Sequence, residues 1–326
     1  MPFTVRLPHA MQERSVPSDA VLVMNQEFRV DGTCHLHVRV PEARMRIRPG
    51  ESHDRVAVSV YIDNCDPDDA KDVLDRMRLS TRQVKNTVRV HTDEPVRDTS
   101  YWKWVRESTA QLYIDLKLPP KTDADIRTPA GEIDADGIQG AIVIDAAACP
   151  IHVSNLSGSL KITAQGEPVS VHDFDGDLLD IRSTASTIDV ARAVSSVVNL
   201  SSAAGTIEAR SIQAVLNLDA HGSPVTLADI DGSIHGDLNA SPLTLHGVPS
   251  SEVNLNAVGS PIEASVEPSF GADVQLEGRP VELDPSLTFR GEREPERVIG
   301  RLNNGGSGLK IRAVPGSVRC VRGRGV

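Results

Sequence analysis

The sequence predicts an all-β protein: a parallel β-solenoid of about 18–19 residues per turn, behind a β-rich N-terminal cap that holds one helix. Three observations carry this. An apolar residue recurs at Ile138, Leu156, Phe174, Val194, Ile212, Ile230, Val248 and Val266, in steps of 18 except for one of 20. Alternating apolar pairs run in phase with it, first as Ile142/Ile144, Leu160/Ile162, Leu179/Ile181, Val198/Leu200, Leu216/Leu218 and Val253/Leu255. A second set follows as Ile151/Val153, Val169/Val171, Ile188/Val190, Val225/Leu227, Leu243/Leu245 and Val281/Leu283. The third observation is a proline just ahead of the second pair, at Pro150, Pro168, Pro224, Pro242, Pro261 and Pro280. A fixed period this short means turns stacked on one another, with a core that exists only in the stack.

Each unit then reads as strand, corner, strand and a third short side. Alternation at period two turns one face of each strand inward. Proline lacks the N–H a ladder needs, so it falls at a strand start or corner. Glycines on either side (Gly158, Gly176 and Gly232; Gly166, Gly222, Gly259 and Gly278) suit corners. Counterpart strands one turn apart lie about 4.8 Å from each other, so about nine turns make a rod of about 45 Å. Parallel crossovers favour a right-handed coil.

The repeat covers 123–288, and the chain around it is organised differently. Residues 1–20 read as a flexible N-terminus and 21–122 as a capping region. Within the cap, strands are expected around Phe28–Val30, His35–Val40, Met45–Arg48, Val56–Ile62, Thr87–His91 and Gln111–Leu118. One helix is expected over 66–80, with Asp66 as N-cap, Pro67 in the first turn and an apolar stripe of Val73, Leu74 and Met77. A solenoid end exposes unpaired strand edges, which is why a cap is needed; Trp102 and Trp104 fall in its last loop. Residues 289–326 read as a final turn and a basic C-terminal tail.

Composition agrees with a thin core. The 326 residues are 39% hydrophobic but only 3% aromatic, and Phe174 and Phe270 are the aromatics of 123–288. Net charge is −11, with 24 Asp/Glu against 6 Lys/Arg in 123–288 and 3 against 9 in 289–326. An acidic body argues against nucleic acid, whose binding depends on neutralising phosphates. The four cysteines, Cys34, Cys65, Cys149 and Cys320, form no CxxC pair, so neither a disulfide framework nor a zinc site is expected. Cys149 occupies the corner slot that Ser223, Ser241 and Ser260 fill in later turns, where a small residue is wanted. Met1–Arg6 shows no apolar leader and no stretch reaches 18 apolar residues, so the expected location is cytoplasmic, with envelope association through a partner as the alternative.

The chain is similar to a known family. Leu112-Tyr113-Ile114-Asp115-Leu116-Lys117-Leu118-Pro119, the repeats Gly140-Ala141-Ile142-Val143-Ile144 and Gly158-Ser159-Leu160-Lys161-Ile162, and Gly305-Gly306-Ser307-Gly308-Leu309-Lys310-Ile311 resemble the bacterial putative-adhesin domain over about residues 27–315. The resemblance implies a parallel β-solenoid linked to the cell envelope or to surface stress sensing. It brings no catalytic motif.

Three groups of side chains could carry chemistry. Asp173, Asp175, Asp177 and Asp180 crowd one edge, and Asp229 and Asp231 recur at the first two slots. Paired carboxylates could act as acid and base on a sugar, but Asp-Gly is also ordinary turn chemistry, and that reading is preferred. A calcium site would need a glycine-rich nonapeptide spacing that is missing. The row Asp180, Asn199, Asn217, His235 and Asn254 reads as a structural ladder. His152, His172, His221, His235 and His246 read as surface residues. No residue is assigned a catalytic, cofactor-binding or metal role. The expected function is a non-enzymatic scaffold or adhesin-like module for self-association or for a protein or envelope partner. The alternatives are a β-helix that binds or cleaves polysaccharide and a sensing module of an envelope stress response. Self-association is expected through a solenoid end, with the basic tail pairing to an acidic body.

Overall fold

In the computed structural model, which describes residues 16–92 and 110–323, nearly every element is a strand of one continuous stack. The body is built as the periodicity predicts. It comprises β8 (Thr122–Asp136), β9 (Gln139–Ala148), β10 (Ile151–Gln165), β11 (Val169–Thr184), β12 (Thr187–Ala203), β13 (Thr206–His221), β14 (Val225–Asp231), β15 (Ile234–Asn239), β16 (Leu243–His246), β17 (Val253–Val258) and β18 (Ile262–Val266). All pair in parallel with the turn before and after. The long strands bend at a corner, so one element supplies the second side of one turn and the first side of the next. The alternating pairs lie inside one apolar core running from Val30 to Cys320, except Val281/Leu283, which is half-buried against it.

The proline column continues the ladder through its carbonyls. Ile133 N–H donates to Pro150 O at 3.0 Å, Ile151 to Pro168 O at 2.9 Å, and Val225 to Pro242 O at 2.8 Å. Glycine on the third side answers to crowding. A Cβ on Gly176 would lie 1.9 Å from the Gly158 carbonyl oxygen, and one on Gly158 would lie 2.3 Å from that of Gly140. Positive φ occurs there too, at Gly140, Gly158 and Gly232, and also in a column of non-glycine residues: Asn155, Asp173, Arg192, Ser211 and Asp229.

The step of 20 in the apolar column has a simple cause. Phe174 pairs in register with Ala193, and Ala193 with Ile212. Ala193 is the buried plug, and Val194 is 49% exposed. The expected inward Val194 is therefore corrected by one residue, and the local steps become 19 and 19.

Both ends depart from a simple stack in the same way. At the N-terminal end the elements are β1 (Val21–Arg29), β2 (Cys34–Arg39), β3 (Ala43–Pro49), β4 (Arg55–Asp63), α1 (Ala70–Met77), β5 (Leu79–Val84), β6 (Thr87–Thr92) and β7 (Gln111–Leu118). The turn β2/β3 lies directly on β8, but β6/β7 lies on its far side. Strands β4 and β5 then close that side antiparallel to β7 and β6, and β1 adds antiparallel to β4. At the C-terminal end come β19 (Ala272–Gly278), β20 (Val281–Leu283), β21 (Phe289–Glu294), β22 (Arg297–Leu302), β23 (Ser307–Ala313) and β24 (Val318–Arg322). Here β23/β24 sits between β17/β18 and β19/β20, paired in parallel on both edges. Strands β22 and β21 close the end as an antiparallel hairpin.

Three boundaries change as a result. The repeat is contiguous in sequence to 288, but in space the last chain segment is wedged in ahead of β19/β20. The expected basic tail contains β24, whose Val318 and Cys320 are buried in the core. Its Arg319 pairs with Glu263 at 3.5 Å and Glu282 at 3.4 Å. The helix is shorter than 66–80: it begins at Ala70 and stops where Arg78 adopts left-handed backbone. Asp66 instead forms a preceding turn, its Oδ1 accepting from Asp68 N–H at 3.2 Å. Trp102, Trp104, Met1–Arg6 and Arg324 lie outside the described residues.

Candidate functional site

The aspartates singled out from sequence do not converge. Asp173 sits at a left-handed corner, and Arg192 one turn on grips it from Nε at 2.6 Å and its second nitrogen at 2.7 Å. Those hydrogen bonds hold its carboxyl below the usual range. Asp175 and Asp177 are exposed on the same edge. Asp180 is 7% exposed on the next face, 3.3 Å from Arg182. Its neighbours along the stack are Asn199, Asn217, His235 and Asn254, in register. One rung of that ladder is a direct bond, Asn217 Nδ2 to Asn199 Oδ1 at 2.8 Å.

A second polar cluster joins three turns. His172 Nε2 is 3.3 Å from Asp189 Oδ2, and Arg210 NH1 is 3.0 Å from Asp189 Oδ1. Burial raises the Asp189 pKa, but the His172 hydrogen bond and the Arg210 charge outweigh it and hold the carboxyl below its usual range. His221 lies 3.0 Å from Asp219, while His235 and His246 face outward on separate sides. No group of three metal-ligating side chains is present among the described residues.

Inside the second corner runs a polar column that the sequence marked only as small. Ser223, Ser241 and Ser260 are fully buried. Gly205 N–H donates to Ser223 Oγ at 3.1 Å, Ser223 N–H to Ser241 Oγ at 3.0 Å, and Ser241 N–H to Ser260 Oγ at 2.8 Å. Each hydroxyl in turn donates to the carbonyl two residues before it. Cys149 holds the same slot, where burial pushes its thiol up to about 12.

The surface that sequence reading missed is the first-side face of the cap. Strands β5, β6, β2, β8 and β9 lie side by side there, and register defines three outward rows. One reads Ser80, His91, Arg39, Arg127, Asp145; the next Arg82, Arg89, His37, Asp125, Val143; the third Val84, Thr87, His35, Asp123, Ala141. On β8, Asp125 takes Arg127 at 3.0 Å and Asp123 lies 3.5 Å from His35. Strands β5, β6 and β2 together present Arg82, Arg89 and Arg39 and no outward carboxylate. The rows lead into a corner groove of about 940 Å³, with Arg39, His91 and Arg127 at one end and Thr163, Gln165 and Thr184 at the other. Arg82 and Arg89 face each other across the β5/β6 hairpin, and the interleaved order of the cap brings them onto one face with Arg39 and Arg127.

No protein-family model and no curated protein matches the chain. Solved structures that match it include the following two. A putative cell adhesion protein from Clostridium sporogenes is 11% identical, with a TM-score of 0.21, over 92% of this chain and 99% of that one. A putative adhesin from Bacteroides fragilis is also 11% identical, with a TM-score of 0.32, over 91% of this chain and 96% of that one. No helix among the described residues is long and apolar enough to cross a membrane.

Proposed function

We propose that the chain is a non-enzymatic, adhesin-like solenoid scaffold that offers a long rigid surface to a protein or envelope partner. What supports this reading is that the candidate acids do not converge, and that three acids of the body are built into the frame. Asp173 is held in the fork of Arg192, Asp189 between His172 and Arg210, and Asp180 within the outward ladder. The corner groove has the same character: its lining comes from β2, β6, β8, β9, β10 and β11, so a ligand there lies across consecutive turns.

Part of the basic tail's charge is met within the chain, since Arg319 pairs with Glu263 and Glu282. At the other edge of that end, β21 reads Phe289-Arg290-Gly291-Glu292-Arg293-Glu294, and a charged edge discourages strand addition. A second copy fits better at the N-terminal end, where β1 has β4 as its one paired neighbour among the described residues and Leu22 is 50% exposed. Two measurements test the reading. A panel of oligosaccharides incubated with the protein comes back uncut; turnover abolished by Asp175→Ala would overturn the non-enzymatic assignment. Light scattering over a concentration series reports association, and Leu22→Glu shifts any dimer toward monomer while Arg293→Glu does not.

A further inference from the structure

We infer that the first-side face of the cap, with the groove it runs into, binds a linear polysaccharide bearing carboxylates, a uronate-type glycan. The inference rests on reading the chain as a binding surface and names the ligand.

The charge pattern carries the argument. In a chain of net charge −11, the nine outward residues of β5, β6 and β2 include three arginines, three histidines and no acid. Arg82 and Arg89 are direct register partners, and so are Arg39 and Arg127. Like charges directly opposite across strands destabilise a sheet. Arg39, Arg82 and Arg89 are all exposed, and none has an ion-pair partner among the described residues.

The second-side face of the same cap shows what structural arginines look like here. Arg46 lies in register between Asp115 and Asp134, and Arg48 donates to Asp115 Oδ2 at 2.8 Å. Every arginine of that row is flanked by an acid or an aromatic ring; Arg44 stacks over Tyr113 at 5.4 Å. On the first side Arg127 is held in both forks by Asp125, whereas Arg39, Arg82 and Arg89 have no ion-pair partner among the described residues. A guanidinium presents paired N–H donors that match a carboxylate in bidentate geometry.

The groove selects among anions. Past Arg39 and Arg127 its wall becomes neutral and hydrogen-bonding, with Thr163, Gln165 and Thr184 all exposed, over small apolar residues such as Pro129 and Ala147. Hydroxyl and amide groups beside arginines suit a polymer rich in hydroxyls and charged at intervals. Inorganic polyphosphate has no hydroxyls to bond that wall, and a nucleic acid, whose binding depends on neutralising phosphates, would meet the acidic body beyond.

The test is a calorimetric titration of the full chain with oligogalacturonate, with neutral dextran, inorganic polyphosphate and a single-stranded DNA oligomer as further arms. Wild type binds the uronate, more weakly at high salt, and does not bind dextran. The triple variant Arg39→Gln/Arg82→Gln/Arg89→Gln weakens uronate binding by about tenfold or more. A charge-matched triple at the far end, Arg290→Gln/Arg293→Gln/Arg297→Gln, leaves it unchanged. Far-UV circular dichroism checks both triples, and Arg82→Gln alone provides a milder version. No uronate binding by wild type, equal weakening by the two triples, or tighter binding of polyphosphate or DNA through the same arginines would each overturn the proposal. The length of the uronate after long incubation separates the two readings. Shortened chains contradict the non-enzymatic assignment and leave this site standing, whereas intact but unbound chains contradict this site alone.

Discussion

Replacing Ser241 by Ala removes one oxygen from the serine column, and its effect can be worked out atom by atom. The hydroxyl accepts from Ser223 N–H at 3.0 Å and donates to Asn239 O at 2.9 Å, in a corner where both serines are fully buried. Asn239 O keeps a second donor, Gly222 N–H at 2.8 Å, so that bond is worth about 1 kcal/mol. Ser223 N–H has no such reserve, and an orphaned buried donor costs about 1–3 kcal/mol. The change in volume is small, so no cavity term adds. The variant should lose about 2–4 kcal/mol in all. Urea unfolding followed by far-UV circular dichroism measures it, since a shifted midpoint at constant slope is a change in stability. Ser241→Cys should fall between, because a thiol is a weak acceptor and Cys149 already holds this slot. Ser201→Ala, two turns earlier and half-exposed, should stay within about 0.5 kcal/mol. A midpoint for Ser241→Ala equal to wild type would show that the column only fills space and that the hydrogen-bond argument is wrong.

Stopping the chain after Ala313 should lower the melting temperature and expose 270–313 to protease, because β24 is paired on both edges and buries Val318 and Cys320; an unchanged melting curve would mean that this segment is the free tail its composition suggests. Burial pushes the Cys320 thiol up to about 12 and that of Cys34 to about 11, so a thiol reagent at neutral pH should modify half-buried Cys65 first and the other cysteines only on unfolding; rapid native labelling of Cys320 would contradict the wedged position of β24. Asp189 is held below its unfolded pKa, so its pairing stabilises the protein above about pH 4 and is lost as pH falls through the lower, folded value. Asp189→Asn should therefore be less stable than wild type at pH 7 and approach it in strong acid; a constant gap across that range would refute the assignment. Leu160→Asp places a charge in a core that is one side chain thick, and several kcal/mol of destabilisation should follow.

Much of the fold was legible because a solenoid turns long-range pairing into a periodic signal. Leu160 meets Ile142 and Leu179 for the same reason that each sits at one phase of the repeat. The strand Gln111–Leu118 and the paired columns fall where alternation puts them. Single-residue errors arose where a bulge absorbs a residue, as at Ala193 and Val194. The Asp66 cap failed because a local turn, with its own side-chain bond, competes with the first helical turn. The aspartates were legible as corner residues, although Asp173 itself takes the left-handed backbone and Gly176 answers to close approach.

By itself, the sequence determined the repeat, the corner chemistry and the thin aliphatic core, since each is a local pattern imposed again every turn. The tertiary structure decided the order of turns at both ends. Which turn lies beside which depends on the chain leaving one level empty and returning to fill it, and no periodic signal records that choice. The reason to fill it is physical: an inserted turn is hydrogen-bonded on both edges, and the outermost strands become antiparallel hairpins. The same interleaving sets the hairpin pair Arg82 and Arg89 beside His37, and Arg39 beside Arg127, residues whose sequence neighbours give no hint of a common surface.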